Sequence, residues 1–443
     1  MTLTRSSTVS LAHVRADAAS RIAEILKVIY VAEVRATKRG GSKDATLANS
    51  LKALLARLGL DVSDFDPQII SALMEHQKRV CLARPRCGSC PLVSFCDVGK
   101  ERVKDDRKPI AVDLFGGAGG LGFGFRKAGF RIGLAVEMDR DAAQTYRLNN
   151  PGVHVIEADV GSICASDVLN LIGLRPAVIC AGPPCQSYSA AGKRATQDPR
   201  HHLFRHVLTL ARDLKPDAVV IENVPGINRK IGRRSYKEII ECELGKQFAV
   251  EVHLLRAVDY GVPQLRKRYF FFGRRRTLAP LGAPPRTHKE KSHAGRLPDS
   301  PTVMDVLRGL PRREQGRSKD WARLGDGTVL WNVGTMSHAQ RVIKKINEIR
   351  GGEGPLSYRR VSRAYANTII AGHRALPVHP TLHRTLSVRE AARIQGFDKD
   401  YVFLGARANQ PLQVANAVPP PLARAIARHV VLRTKPASSR KAR

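Results

Sequence analysis

From residue 110 onward the sequence alternates short apolar runs with stretches of helical period, and no other feature limits the fold so tightly. IAVDLF, RIGLAVEMD, VHVIEADV, AVICAGPP and AVVIENV are such runs, each too short for a buried helix and each followed by a longer segment of helical pattern. Alternation of this kind implies crossover connections, so it predicts a mostly parallel sheet in an α/β domain. Two further runs, FAVEVHLLRAV and YFFFGR, are joined by DYGVPQLRKR, a loop too short to hold a crossover helix. They are expected to pair antiparallel.

The rest of the chain divides around this block. Residues 1–104 contain ADAASRIAEILKVIYVAEVRA and ATLANSLKALLARLGL, whose apolar residues recur three and four apart, and read as a helical domain closed by a cysteine-rich segment. The charged linker ERVKDDRKP separates it from the strand-rich block, 105–273. Residues 274–356 lose the periodicity and fill with Arg, Gly and Pro, as a small irregular domain would. Order returns over 357–432 with LSVREAARIQGF and PPPLARAIARHVV, two expected helices, before a basic disordered tail, 433–443. No run is long and apolar enough to span a bilayer, and MTLTRSSTVSLAHV lacks the apolar core of a signal peptide, so the expectation is a soluble, cytoplasmic protein.

Lys and Arg number 74 against 39 Asp and Glu, a formal charge of +35 spread over many segments. Such a field favours a polyanionic partner, nucleic acid above all. The eight cysteines split into a cluster, Cys81, Cys87, Cys90 and Cys96, and four scattered ones, Cys164, Cys180, Cys185 and Cys242. That distribution reads as a metal site plus free thiols in a reducing compartment, not as a disulfide framework. The clustered four form a ligand set for an iron–sulfur centre or for zinc.

DLFGGAGGLG follows the first apolar run and holds Gly117, Gly119 and Gly122 at the spacing of a dinucleotide fingerprint, where glycines let backbone approach a ligand at a helix start. Glu137 ends the next run, placed to accept hydrogen bonds from ribose hydroxyls, and Asp159 ends the third, within reach of an adenine amino group. Adenosine recognition is expected, which fits NAD and S-adenosylmethionine alike. Cys185, in GPPCQSYS, follows the fourth run. Ligands of parallel sheets bind beyond the carboxyl ends of the strands, so this thiol stands where nucleophilic cysteines occur, with Pro183 and Pro184 stiffening its approach. Glu222 emerges from the neighbouring run. Gln264, Arg266 and Arg268 alternate along an extended segment and are expected to face one ligand. A thiolate, a carboxylic acid and guanidinium groups around one pocket suit a pyrimidine. Carbon 5 of cytosine is a poor nucleophile until a thiolate adds at carbon 6 and N3 is protonated.

Taken in order, DLFGGAGG, GPPCQSYS, ENV, QLRKR, RTLSVREAARIQGF and QVANAVPPPLA resemble the motifs of the DNA cytosine-5 methyltransferase family, over about 110–273 and 357–430. The resemblance implies a Rossmann-like S-adenosylmethionine-dependent methyltransferase fold in which Cys185 attacks carbon 6, Glu222 contacts and protonates N3, and Arg266 and Arg268 hold the base and the nucleophile loop. It also implies that Phe115, Glu137, Asp159 and Asn416 line the S-adenosylmethionine site, together with Gly117, Gly119, Gly120 and Pro184. Members of the family flip the target base out of the duplex. The partner implied is double-stranded DNA, bound by a monomer, with a cognate restriction endonuclease left open. Residues 274–356 correspond to the target-recognition part, whose arginines either read guanine edges or neutralise phosphate. One departure is Ala415, where the family carries glycine before Asn416.

HQKRVCLARPRCGSCPLVSFC resembles the cluster loop of the endonuclease-III-like glycosylases, which implies a [4Fe-4S] cluster on Cys81, Cys87, Cys90 and Cys96. Its first gap is one residue shorter than in that family, which keeps zinc open, and the LPGVG hairpin and catalytic lysine of those enzymes are missing. The rival readings are an RNA (tRNA) methyltransferase of the same family and a non-catalytic DNA-binding or repair scaffold.

Overall fold

The apolar runs become the strands of one sheet in the computed structural model, which describes residues 108–150, 152–184, 203–231, 234–312, 320–325, 328–355, 359–370 and 376–431. The chain divides into two compact units, 1–104 with 150–152 and 105–149 with 153–443. The expected amino-terminal helical domain with Cys81, Cys87, Cys90 and Cys96, the nucleophile candidate Cys185, and the basic tail all lie outside the described residues.

In chain order the elements are β1 (Ile110–Leu114), α1 (Gly120–Lys127), β2 (Arg131–Glu137), α2 (Arg140–Asn149), β3 (His154–Glu157), α3 (Ala165–Ile172), β4 (Val178–Ala181), α4 (Leu203–Leu214), β5 (Ala218–Asn223), α5 (Tyr236–Gly245), β6 (Ala249–Arg256) and β7 (Lys267–Arg274). Their spatial order is β3-β2-β1-β4-β5-β7-β6. The first five strands run parallel, and β7 is antiparallel to both β5 and β6, as the short loop between the last two runs requires. Strand order reverses between β1 and β4, which opens a crevice for ligands beyond their carboxyl ends.

Helices cover both faces, so β1, β4 and β5 are buried at every residue and their sequences are near-continuous apolar runs rather than alternating, broken by Asp113 in β1 and ended by Glu222 and Asn223 in β5. Ile110, Val112, Leu114, Ile179 and Ile221 pack against α3, α4 and α5. Ala111, Val178, Cys180 and Val220 face the other way, toward Leu121 and Phe125 of α1.

The carboxyl-terminal part adds α6 (Val303–Leu307), the hairpin β8 (Trp321–Arg323) and β9 (Val329–Trp331), α7 (Gln340–Glu348), α8 (Val388–Gln395), α9 (Gln410–Asn416) and α10 (Pro420–Val431). Both expected helices, α8 and α10, form. Ser387 and Glu390 close a capping box at the start of α8, and Gly396, at φ 88°, ends it. Leu422, Ala423, Ile426 and Val430 of α10 join the sheet core on the α1 side. Among the described residues between 274 and 356, regular structure is limited to α6, β8, β9 and α7.

Arginines take over backbone pairing in this sparse part. The Arg360 guanidinium donates to the carbonyls of Ile346, Ile349, His379 and Leu382. Arg389 does the same for Trp331, Asp398 and Tyr401. Buried carbonyls without a strand or helix partner need donors, and the forked guanidinium supplies several at once.

Candidate active site

Beyond Leu114 the chain turns through Phe115 (φ 56°), Gly117 (φ 54°) and Gly119 (φ 93°) before α1 begins. A left-handed conformation is uncommon for a residue such as Phe115, and such strain concentrates at ligand sites. The loop is braced by Glu137 at the end of β2, whose Oε2 accepts the Gly117 N–H at 2.7 Å and whose Oε1 accepts the Asp139 N–H at 2.7 Å. Burial pushes the Glu137 carboxyl up, against the backbone hydrogen bonds it accepts. A Cβ on Gly117 would meet nothing within 4 Å, so the loop is open on that side. Asp159 is exposed at the same sheet edge, where its Oδ1 caps a short turn by accepting the Gly161 N–H at 2.7 Å.

Two glycines of the motif serve packing. A Cβ on Gly120 would collide with the Val418 carbonyl, and one on Gly122 with the Tyr146 hydroxyl. Gly122, expected with Gly117 and Gly119 to approach the ligand, instead fills the space against α2. Gly120 closes on the chain between α9 and α10, and Gly124 on Ala423 within α10. Bare backbone at 120 and 124, four residues apart, brings α1 close to α10.

On the other side of the switch point Ala181 pairs with Ile221, so Gly182 and Glu222 leave the sheet as neighbours. Glu222 Oε2 lies 3.7 Å from where a Cβ on Gly182 would stand. Pro183 is buried, Pro184 half-buried, and the described chain stops there, one residue short of Cys185. Arg268 Nε stands 2.8 Å from Glu222 Oε1, and both residues are buried. Arg266 is more deeply buried and donates through Nη1 to the Ala415 carbonyl at 2.9 Å. Burial, and secondarily the charge of Arg268, pull its guanidinium well below the ordinary arginine range.

Gln264 corrects the expectation that it shares a ligand with the two arginines. Its Nε2 donates to Gln395 Oε1 at 2.6 Å, and its Oε1 accepts the Ile369 N–H at 3.1 Å. A bridge to Ala366 holds residue 264 outside the regular strand, which starts at Lys267, and turns its amide into the gap between α8 and residues 366–369. Gln395 passes the chain on, donating to the Ala417 carbonyl at 2.6 Å. Asn416 is exposed at the end of α9. Ala415 in place of glycine causes no strain, because its φ is not positive and its side chain joins the cluster that holds Ala118.

Sequence reasoning missed Asp113 and Tyr146, which hydrogen bond in full burial beneath the glycine loop. The signal was a charged residue inside an apolar run, which must find partners when buried. It also missed the buried Arg384–Glu390 pair, bidentate at 2.8 Å for both bonds. No periodicity marks that pair. Among the described residues no group of three or more His, Cys, Asp or Glu could hold a metal ion.

The family model described as C-5 cytosine-specific DNA methylase matches residues 110–431. The chain is similar to the Type II methyltransferase M1.HphI of Haemophilus parahaemolyticus, 33% identical over 338 residues that cover 72% of this chain and 86% of that protein. It is 32% identical over 376 residues to the Type II methyltransferase M.DdeI of Desulfomicrobium norvegicum, covering 72% and 88%. Among solved structures, a prophage-encoded E. coli chain assigned as a DNA modification methyltransferase superposes with a TM-score of 0.62 at 24% identity, covering 74% of this chain and 99% of that one. That likeness shows the fold.

Proposed function

As a member of the C-5 cytosine-specific DNA methylase family, to which this chain belongs, the protein is a DNA cytosine-5 methyltransferase, and we propose that Cys185, Glu222, Arg266 and Arg268 carry its chemistry. The observation that carries this reading is the pairing of β4 with β5, which sends the Gly182-Pro183-Pro184 approach to Cys185 and the Glu222 carboxyl out of the sheet side by side. The glycine loop opens at the same edge, one strand away.

The residues at that edge fit S-adenosylmethionine. Gly117 leaves an open face, Phe115 is half-buried beside it, and the Glu137 carboxylate keeps acceptor capacity for a ribose hydroxyl beyond the backbone donors it accepts. Asp159 is exposed one strand further on, with an oxygen free for an adenine amino group. When bound, the cofactor supplies an electrophilic methyl group on a sulfonium. The Cys185 thiolate adds to carbon 6 of the cytosine, and the displaced electron pair is taken up as N3 accepts a proton from Glu222. Carbon 5 would then be an enamine carbon able to take the methyl group, the carbon–sulfur bond breaking with its pair left on a neutral thioether. Loss of the carbon 5 proton to a base returns the pair to the ring and expels the Cys185 thiolate, and N3 gives its proton back to the Glu222 carboxylate. Arg268 holds the Glu222 carboxyl at the strand end, and Arg266 ties the same loop to the chain before Asn416.

Double-stranded DNA is the substrate in this reading, and the net charge of +35 supports it. The relatives are named Type II methyltransferases, which supports pairing with a restriction endonuclease that methylation holds off the host's own DNA. Bisulfite sequencing of DNA from a host expressing the protein tests the activity and gives the methylated context. Cys185→Ser should abolish methylation with the fold intact, and Glu222→Gln should slow it by roughly a hundredfold or more. Undiminished methylation by Cys185→Ser would sink the mechanism. For Cys81, Cys87, Cys90 and Cys96 the proposal of a [4Fe-4S] centre, with zinc as the alternative, rests on their spacing and on the resemblance to the glycosylase cluster loop. Iron, sulfide and zinc content of anaerobically purified protein decides it.

A further inference from the structure

We propose that Asp113 is a positioning residue that locks the glycine loop and the nucleophile-bearing strand into one register; the proposal rests on reading this sheet edge as the methyl-transfer site. Asp113 sits on β1 at the switch point, paired with Ala135 of β2 on one side and Cys180 of β4 on the other. It is fully buried. Its Oδ2 accepts the Tyr146 hydroxyl at 2.9 Å, its Oδ1 accepts the Cys180 thiol at 3.6 Å, and the Gly122 backbone N–H adds a third donor.

Each partner leads to a different part of the site. Gly122 belongs to the first turn of α1, which the glycine loop enters. Cys180 is two residues before Gly182, where the approach to Cys185 begins. Tyr146 belongs to α2, which follows Glu137, the brace of Gly117. The fit is tight, because a Cβ on Gly122 would collide with the Tyr146 hydroxyl. A carboxylate is costly to bury, and an apolar side chain would fill this place in the core without that cost. What the carboxylate adds is direction: it accepts three donors at once and fixes three elements relative to one another.

The geometry implies a pH dependence. Burial raises the Asp113 carboxyl to about 7, opposed by its three donors and assisted by the charge of Glu137. The ionisable groups facing it are Tyr146 from α2, Cys180 from β4 and Glu137 at the end of β2; α1 contributes only a backbone N–H. The ionised form accepts all three donors, whereas the protonated form gives up part of that capacity. Cofactor affinity should therefore fall as pH drops through about 7.

The test uses the full-length protein and its Tyr146→Phe, Asp113→Asn and Cys180→Ala variants. S-adenosylmethionine affinity is measured by calorimetry across that pH range, alongside single-turnover methylation and thermal unfolding. Tyr146→Phe removes one donor and keeps the ring, so affinity should fall about tenfold, the scale of losing a hydrogen bond to a charged group, and the acid limb should move to higher pH. Asp113→Asn should weaken binding and flatten the acid limb. Cys180→Ala should slow methyl transfer more than it weakens cofactor binding. Wild-type affinity and an unmoved acid limb in Tyr146→Phe would overturn the proposal, as would a loss that tracks thermal unfolding with the limb unchanged. Failure of the wild type to bind S-adenosylmethionine or to methylate DNA would instead overturn the reading of the site.

Discussion

In the sheet, β1, β4 and β5 are buried along their whole lengths and satisfy their backbone groups by pairing with one another, whereas between 346 and 403 many carbonyls are taken by arginine side chains. Both arrangements keep buried polar groups bonded. They differ in how a fault spreads. A strand shares its hydrogen bonds among many residues, so a lost methyl group costs only its own packing. One guanidinium serving several carbonyls concentrates the same duty in a single side chain, and its loss orphans all of them together. The contrast separates a scaffold that tolerates conservative change from a segment that depends on particular charged residues.

The sharpest way to break that contrast is Arg384→Met. It leaves the buried Glu390 carboxylate without its bidentate charge partner, although the Ser387 N–H still donates to it, and should cost about 3–5 kcal/mol in urea unfolding. Replacing both partners, Arg384→Met with Glu390→Leu, should recover most of the loss. A single variant as stable as wild type would remove the distinction between the two regions.

A pH effect should come next. His379 is buried and its Nδ1 accepts the backbone N–H groups of Thr381 and Leu382 at 3.1 and 3.0 Å, an arrangement only the neutral tautomer can make. Burial lowers its pKa from 6.5 to about 4, against the pull of Glu390. The unfolded chain therefore binds a proton that the folded chain refuses, so this contribution is whole above pH 6.5 and is lost as pH falls toward about 4. Protection of the amides at 381 and 382 against hydrogen exchange, taken relative to the intrinsic rate at each pH, should fall across that window in the wild type. In His379→Asn, whose side-chain oxygen can accept the same donors, the dependence should flatten.

Ile179→Val then measures the other side of the comparison. It removes one methylene from the buried face of β4 and should cost about 1 kcal/mol, with cofactor binding unchanged. A loss above that of Arg384→Met would reverse the ranking. The smallest effect is expected at Lys127, whose ion pair with Asp398 joins α1 to the turn after α8 at the surface. Lys127→Ala should shift stability by about 0.5 kcal/mol or less, and less still in high salt.

Much of the sheet was legible in the sequence, because strands buried on both faces are near-continuous apolar runs and the crossovers between them must be helical. The antiparallel pairing of β6 with β7 followed from loop length alone. Glu137, Glu222 and the open face at Gly117 were legible for a related reason: polar or glycine residues that end an apolar run stand at the carboxyl edge, where ligands of parallel sheets bind. Gln264 was not. Alternation put it on the arginine face, but the regular strand begins only at Lys267, and its bridge to Ala366 comes from about a hundred residues away in the chain. Of the glycine motif, Gly117 has an open face whereas Gly122 packs against Tyr146, since spacing shows that a residue lacks a side chain without showing which neighbour occupies the space.

What the sequence determined by itself was therefore the order of strands and helices, the class of fold, and the chemistry available at the strand ends, all set by periodicity and by residue type over short spans. Only the tertiary structure decided which charged groups stay inside. Arg360, Arg384 and Arg389 count in composition toward a basic surface, yet each is buried against carbonyls or a carboxylate. Asp113 breaks an apolar run in the sequence and becomes a hub only when α2 and β4 bring a hydroxyl and a thiol to its two oxygens. Burial of a charge is settled by partners distant in the chain, and local pattern carries no information about them.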